Sequence, residues 1–121
     1  MGGWAGMLAR YPALVASMDL IAVFTTLPSR QQAQQLAASL VEDGLVACAQ
    51  ISEVESFYHW EGKLQQEQEY RLLLKAPARC YGAIEAAILR GHSYELPAIH
   101  AIRMERIFAP YGAWIESSCL S

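Results

Sequence analysis

The chain has 121 residues, of which 54% are apolar and 17% charged, and its formal net charge is −3. This length predicts one domain, and so apolar a composition predicts either a large core or a surface covered by another subunit. The nine Lys and Arg residues are scattered along the sequence, so the basic face that nucleic-acid binding requires is not expected.

The cysteines and the hydropathy pattern indicate where the protein works. Cys48, Cys80 and Cys119 are odd in number and form no C-x-x-C motif. This pattern predicts free thiols rather than a disulfide framework, and we expect a reducing, cytoplasmic environment. The sequence contains no apolar run of the ~18–20 residues needed to span a bilayer, so we expect no association with a membrane.

Residues 1–18 are predicted to form an extension that precedes a domain over residues 19–121. The apolar side chains of this extension recur every three or four residues, at Trp4, Met7, Leu8, Tyr11, Leu14, Val15 and Met18. Such spacing is typical of one face of a helix, which we expect over residues 3–16 and docked on the domain, although Pro12 weakens its interior. An unstructured tail is the alternative, and Met18 could itself begin the chain.

The first predicted elements of the domain are a strand and a helix. The apolar segment Asp19–Leu27 predicts a strand that ends at Pro28. Ser29 and Gln32 have the spacing of a capping box, and Gly44 suits the position just after the helix. The apolar residues of this helix recur with helical spacing, at Ala33, Leu36, Ala37, Leu40 and Val41.

A long hairpin and a second helix are predicted next. The segments LVACAQI and VESFYHW predict one strand, either continuous or with a bulge near Ser52, and Glu61-Gly62-Lys63 predicts the turn before the returning strand EYRLLLKA. Pro77 suits the first turn of a helix that ends at Gly91. The segment AIHAIRMERI predicts a fourth strand, and YGAWIESSCL predicts a short terminal helix.

The predicted order β-α-β-β-α-β is typical of the ferredoxin-like α+β sandwich, in which both helices cover one face of a four-stranded sheet. The first and third strands carry apolar residues on both faces, for example Ala22 against Val23 and Leu72 against Leu73. A sheet face in contact with water would alternate toward polar residues. We therefore expect a homo-oligomer that covers the open face, the alternative being cover by the N-terminal extension.

The sequence shows no motif that identifies a reaction. It contains no G-x-S-x-G, no Walker-type glycine loop and no H-E-x-x-H, so we expect a protein that is not an enzyme. The possible metal ligands do not pair at zinc-site spacing. The Cys48 thiolate could contact copper(I), or Cys48 could be a small apolar residue buried in its strand.

A small-molecule pocket is the second possibility. Tyr58 and Trp60 lie on one side of a strand, while His92 and Tyr94 lie in the loop before the fourth strand. If they converge with positively charged side chains, they form an aromatic pocket with a cationic floor, suited to a small anion or a planar ligand. Alternatively, the two strand aromatics pack across strands and attach the hairpin to a neighbour. The candidate lining is Tyr58, Trp60, Lys63, Lys75, His92 and Tyr94.

Six segments in register resemble one known family. The segments VFTTLPS, LVEDGLVACAQI, SFYHWEGKL, LLLKA, HSYELPAI and YGAWI occur in the order seen in the divalent-cation-tolerance family CutA. Each segment is short, but together they extend from about Asp19 to Trp114. The chain is therefore identified by resemblance as a member of this family.

The resemblance implies a tight homotrimer in which the long hairpin reaches a neighbouring subunit. It implies a role in tolerance of divalent cations, copper especially, and in the response to metal ions, with a metal or small ligand held in clefts between subunits. The family is also similar to PII-type signalling trimers, so a scaffold that engages a partner protein is the alternative. Residues that match family motifs are Cys48 and His92 as metal candidates, and Tyr58, Trp60, Lys63, Lys75, His92 and Tyr94 as ligand candidates.

Overall fold

The computed structural model describes residues 18–120. The helix expected over residues 3–16 lies outside the described residues. The elements are β1 (Leu20–Leu27), α1 (Arg30–Glu42), β2 (Cys48–Trp60), β3 (Lys63–Pro77), a 3-10 turn (Ala78–Cys80), α2 (Tyr81–Gly91), β4 (Ile99–Arg103) and α3 (Ala109–Ser118).

The four strands form one antiparallel sheet in the order β2-β3-β1-β4. This topology confirms the predicted ferredoxin-like β-α-β-β-α-β arrangement, which α3 follows. The burial of β1 alternates, because successive side chains point to opposite faces of a strand. Ile21, Val23 and Leu27 are buried in the core, whereas Ala22 and Phe24 are partly exposed on the open face.

The core lies between the sheet and the two helices α1 and α2. The side chains of Leu72 and Leu74 on β3 have no exposed surface, and neither have Ile84 and Ile88, one turn apart on α2. They belong to the same cluster as the buried leucines of α1, Leu36 and Leu40. Burial of an aliphatic side chain of this size contributes about 1.5–3 kcal/mol to folding.

The start of α1 follows its sequence signal in part. The Ser29 hydroxyl accepts a hydrogen bond from the Gln32 backbone N–H at 3.1 Å, so the predicted N-cap is formed. The return half of the capping box is missing, because the buried side-chain oxygen of Gln32 has no hydrogen-bond partner among the described residues. Ser29 therefore caps α1 by itself.

Gly44 ends α1 and receives the C-terminal segment. Its φ of +72° is the left-handed conformation expected just after a helix. Its carbonyl accepts the Leu120 N–H at 2.8 Å, and a Cβ at this position would lie 2.6 Å from Leu120 Cγ. The glycine therefore allows both the turn and the close packing of Leu120.

Gly44→Ala is expected to lower the free energy of unfolding by roughly 1–2 kcal/mol, because alanine is strained in the left-handed region, and to displace Leu120. The matched control is Gly82→Ala on α2, where a Cβ would meet nothing within 4 Å. That change is expected to stabilise the helix by about 0.5–1 kcal/mol. Urea unfolding at one fixed protein concentration measures both, and equal effects would contradict this account of Gly44.

The β2–β3 hairpin is longer than the rest of the sheet. Pairing is continuous from Cys48 opposite Lys75 to Trp60 opposite Lys63, so the bulge considered near Ser52 is absent. The turn consists of Glu61 and Gly62, both with positive φ, as in the type I′ turn that matches strand twist. Beyond the last pairing of β1 with β3, residues 54–60 and 63–69 form a two-stranded ribbon about 20 Å long.

Candidate functional site

An open groove of about 870 Å³ lies between the ribbon and the loop that precedes β4. Its ribbon side carries aromatic and acidic side chains, and its loop side carries Tyr94, Glu95 and Leu96. A groove of this volume is in the range of small-molecule sites. The residues that line it are Thr26, Ser56, Phe57, Tyr58, His59, Trp60, Gln65, Glu67, Glu69, Tyr94, Glu95, Leu96 and Ala98.

The hairpin turn decides which ribbon side chains face the groove. With two residues in the turn, Trp60 pairs with Lys63, Tyr58 with Gln65 and Ser56 with Glu67. Directly paired residues lie on the same face of an antiparallel sheet, so Tyr58 and Trp60 share a face with Glu67. The opposite face carries Phe57 and Leu64 near the turn and, closer to the sheet, cross-strand hydrogen bonds from Gln66 to Glu55 and from Gln68 to Glu53.

Tyr94 connects the loop to the base of the ribbon. Its hydroxyl donates a hydrogen bond of 2.8 Å to Glu69, whose residue is only 7% exposed. Burial, followed by the Glu69 carboxylate, raises the pKa of the Tyr94 phenol far above its ordinary value. The phenol therefore stays protonated at neutral pH and satisfies a carboxylate that is otherwise costly to bury.

His92 positions this loop through both of its ring nitrogens. The backbone N–H of Tyr94 donates to Nδ1 at 3.1 Å, which requires that nitrogen to be unprotonated. The proton is then on Nε2, which donates to the Thr26 carbonyl at 2.6 Å. A metal could bind His92 only after one of these hydrogen bonds had broken, so the geometry gives this histidine a positioning role.

The charge of the groove is opposite to that predicted from the sequence. Neither Lys63 nor Lys75 lines it, and the charged lining residues are the carboxylates Glu67, Glu69 and Glu95. Partial desolvation and then the Glu67 carboxylate raise the pKa of the Tyr58 phenol. The cationic floor is therefore a wrong prediction: continuous β3 places Lys75 twelve residues, about 40 Å, from Lys63.

Lys75 and Cys48 lie together at the other end of the sheet, against α3. The Lys75 ammonium donates to the Tyr111 hydroxyl at 3.0 Å, and Cys48 Sγ lies 3.8 Å from the same oxygen. Cys48 is partly exposed rather than fully buried. His92 is hydrogen-bonded to Thr26, which pairs with Arg71 on β3, whereas Cys48 pairs with Lys75, four residues further along that strand. The two metal candidates, His92 and Cys48, are therefore not brought together. Residues 18–120 contain no cluster of three or more His, Cys, Asp or Glu side chains that could hold a metal.

Sequence reasoning missed two parts of this arrangement. Glu67 and Glu69 line the groove, and Tyr111 joins Lys75 to Cys48. The two glutamates could have been found from the register that a two-residue Glu61-Gly62 turn imposes on the hairpin. No comparable local signal points to Tyr111, because it contacts Lys75 across 36 positions of sequence.

Comparison with known proteins agrees with the fold and with the motif order. The family model described as CutA1 divalent ion tolerance protein matches residues 21–118. The chain belongs to the CutA1 divalent ion tolerance family. This membership confirms the resemblance seen in the sequence, and it covers every strand and helix from β1 to α3 apart from the first residue of β1.

The CutA1 relatives match over most of their own length. A probable divalent-cation tolerance protein cutA homolog of Encephalitozoon cuniculi is 34% identical over 96 residues, which are 79% of this chain and 84% of the relative. The crystal structure of CutA1 from Shewanella sp. SIB1 has 36% identity and a TM-score of 0.82, covering 84% of this chain and 96% of its own. CutA1 from Oryza sativa has 29% identity and the same TM-score, covering 85% and 95%.

The names of the CutA1 relatives describe tolerance of divalent cations and no reaction. Those names also place members in different compartments, since an Arabidopsis thaliana relative is called chloroplastic and an Archaeoglobus fulgidus structure periplasmic. Within residues 18–120, no helix has both the length and the apolar character that crossing a membrane requires.

Proposed function

We propose that this protein acts in the response to divalent cations as a cytoplasmic homotrimer that binds a cationic ligand in clefts between its subunits. The acidic, aromatic groove beside the ribbon is the observation that carries the proposal. The family's name refers to tolerance of divalent ions, and the groove supports a positively charged occupant. The residues proposed to contact it are Tyr58, Trp60, Glu67 and Tyr94.

The ribbon supports the assembly. An isolated two-stranded hairpin is marginally stable in water, yet this one extends about 20 Å beyond β1. Phe57 and Leu64 at its end are 58% and 67% exposed. β2 is also an edge strand of 13 residues, and long unprotected edges invite pairing with another chain. A second copy of the chain packed on the ribbon would stabilise the long hairpin, cover its exposed apolar end and protect the edge of β2.

The lining of the groove supports a cation. Glu67 and Glu95 are carboxylates at a concave surface, and none of the lining residues is Lys or Arg. The faces of Tyr58 and Trp60 carry the negative side of a ring quadrupole, which attracts cations. One subunit lacks a complete metal cage among its described residues, so the proposed cleft receives its remaining ligands from water or from a neighbouring subunit.

Glu67→Gln tests the cationic ligand, because it removes the charge and keeps the shape of the side chain. Calorimetric titration with MnCl₂, ZnCl₂ and CuCl₂ is expected to show affinity about tenfold or more weaker in the variant, since interactions with a charged partner contribute about 1.5–3 kcal/mol. The matched control Glu105→Gln changes an exposed carboxylate outside the groove lining and should bind as the wild type does. Equal affinities in Glu67→Gln and the wild type would refute the proposal.

Copper(I) is proposed to contact Cys48 rather than His92. Both ring nitrogens of His92 are hydrogen-bonded to backbone groups, whereas Cys48 has no such bond in the described residues. Cys48→Ala is expected to abolish competition with a copper(I) chelator, because a thiolate is the soft ligand that copper(I) prefers. Affinity should also fall as pH drops, since the thiol must lose its proton to bind. Cys80→Ala is the control, and equal copper affinity in the Cys48 variant would remove this residue from the site.

The alternative function, a signalling scaffold, is favoured by the exposed apolar end of the ribbon. Phe57 and Leu64, on the ribbon face opposite Trp60, form a surface that a partner protein could cover if a neighbouring subunit does not. Protection of this ribbon from hydrogen exchange in the purified homo-oligomer distinguishes the two. Strong protection indicates cover by a second copy, and rapid exchange in the assembled protein indicates a surface left for a partner.

A further inference from the structure

Among residues 18–120, the Lys75 ammonium is held in place without a counterion. One of its three donors goes to the Tyr111 hydroxyl at 3.0 Å, and the nitrogen lies 5.1 Å from the centre of the Tyr111 ring. Among the described residues the ion pairs are made by arginines, and Lys75 has no carboxylate partner. Because an ammonium has three donors, two of them have no acceptor in the described part of the chain and could bind an external one.

An apolar groove begins at the ring that holds this cation. Tyr111 and Trp114, three residues apart on α3, stack with their ring centres 5.7 Å apart and their planes 15° from parallel. With Phe108 and Pro110 they line a groove of about 520 Å³. Phe108 is 73% exposed, so this end of α3 presents its apolar ring to solvent beside the stacked pair.

We propose that Lys75 and this aromatic groove form a second binding site, which takes a small organic anion with a flat, apolar body. The rings of Tyr111, Trp114 and Phe108 line the apolar part of the site. Lys75 and Cys48 both contact the Tyr111 hydroxyl at the edge of that groove, and in the proposed site they form the polar end. A carboxylate would accept the free Lys75 donors as a charge-assisted hydrogen bond. A planar body would lie against the stacked rings, where offset stacking is favourable.

The site is separate from the acidic groove beside the ribbon, because the two share no lining residue. The site is positively charged, whereas the whole chain carries a net charge of −3. Attraction by the overall charge of the protein would therefore not account for binding of an anion here. The hydrogen bond with Tyr111 raises the pKa of the Lys75 ammonium, and the cation therefore persists at neutral pH. The inference does not depend on the proposed ligand of the first groove.

A pair of probes that differ in charge tests the proposal on the full-length, assembled protein. Titration calorimetry with 2-naphthoate and with its neutral analogue 2-naphthamide is expected to show one saturable site per chain, with the anion bound at least about tenfold more tightly. Lys75→Met should reduce the affinity for 2-naphthoate to that for the amide and leave the amide unchanged. Lys75→Arg should retain a preference for the anion.

Two further variants separate the polar and apolar parts of the site. Phe108→Ala, at a position 73% exposed, should weaken both probes severalfold, and Lys63→Met, which removes a lysine distant from α3, should change neither. The proposal is overturned by equal binding of the two probes, by undetectable binding of 2-naphthoate at millimolar concentration, or by unchanged affinity in Lys75→Met. Should Lys75→Met fail to fold, the wild-type probe pair and Phe108→Ala still decide the question.

Discussion

Leu73→Asp is expected to convert the proposed trimer into folded monomers. Leu73 is half-buried on the open sheet face, opposite Phe24 on β1 and Gln50 on β2. In the proposed assembly this face is covered by other subunits, so the new carboxylate would be desolvated without a partner, at a cost of several kcal/mol. Light scattering at micromolar concentration should give three times the 13.4 kDa chain mass for the wild type and one chain mass for the variant.

Two neighbouring changes serve as controls for this result. Leu73→Met nearly conserves volume and should keep the trimer, since swaps of this kind usually cost less than about 1.5 kcal/mol. Leu72 points into the subunit core and has no exposed surface, so Leu72→Asp should unfold the subunit, with loss of the circular dichroism signal. A Leu73→Asp protein that retained the trimer mass would show that the open face is not the interface.

Tyr94→Phe is expected to lower the free energy of unfolding by about 1–3 kcal/mol, the usual cost of leaving a buried polar group without its partner. The change removes the hydroxyl that donates to the Glu69 carboxylate. Glu69 is only 7% exposed, so its carboxylate would be left buried without this hydrogen bond. Tyr81→Phe is the matched control, because Tyr81 donates to Glu85 one turn away on the surface of α2. Such pairs contribute about 0.2–0.5 kcal/mol. Urea unfolding at pH 7 measures both variants.

The alkaline pH dependence provides a second readout of Tyr94. Burial and the Glu69 carboxylate raise the pKa of this phenol in the folded state above its ordinary value of 10.0. Its contribution to stability is therefore complete below pH 10 and is lost as the pH rises toward the folded-state pKa. The stability difference between wild type and Tyr94→Phe should be constant from pH 7 to 9 and should shrink above pH 10. A difference that grew with pH would contradict this assignment.

The features that depend on a few neighbouring residues were predictable from the sequence. Ser29 caps α1 and Gly44 ends it with a positive φ, because a cap and a left-handed turn require particular side chains whatever packs around them. The alternation of apolar residues gave the order of the strands and helices for the same reason. Glu61-Gly62 is the hairpin turn, and the length of that turn sets which residues of the ribbon share a face.

The candidate site was predictable only in part. Tyr58, Trp60 and Tyr94 line one groove, as the sequence led us to expect. The acidic character of that groove was missed, because the lysines were assigned to it from their charge without the strand register. His92 was proposed as a metal ligand mainly from the family resemblance, but the structure places hydrogen bonds on both ring nitrogens.

By itself, the sequence determined the ferredoxin-like order of elements, the family, the two ends of α1 and the hairpin turn. Only the tertiary structure decided which side chains meet. The uninterrupted pairing of β2 with β3 separates Lys63 from Lys75, and the return of α3 to the sheet brings Tyr111 to Lys75 across 36 positions. Local patterns reflect backbone preferences within a turn or two, whereas these contacts depend on how burial of the whole core sets the lengths and packing of distant elements.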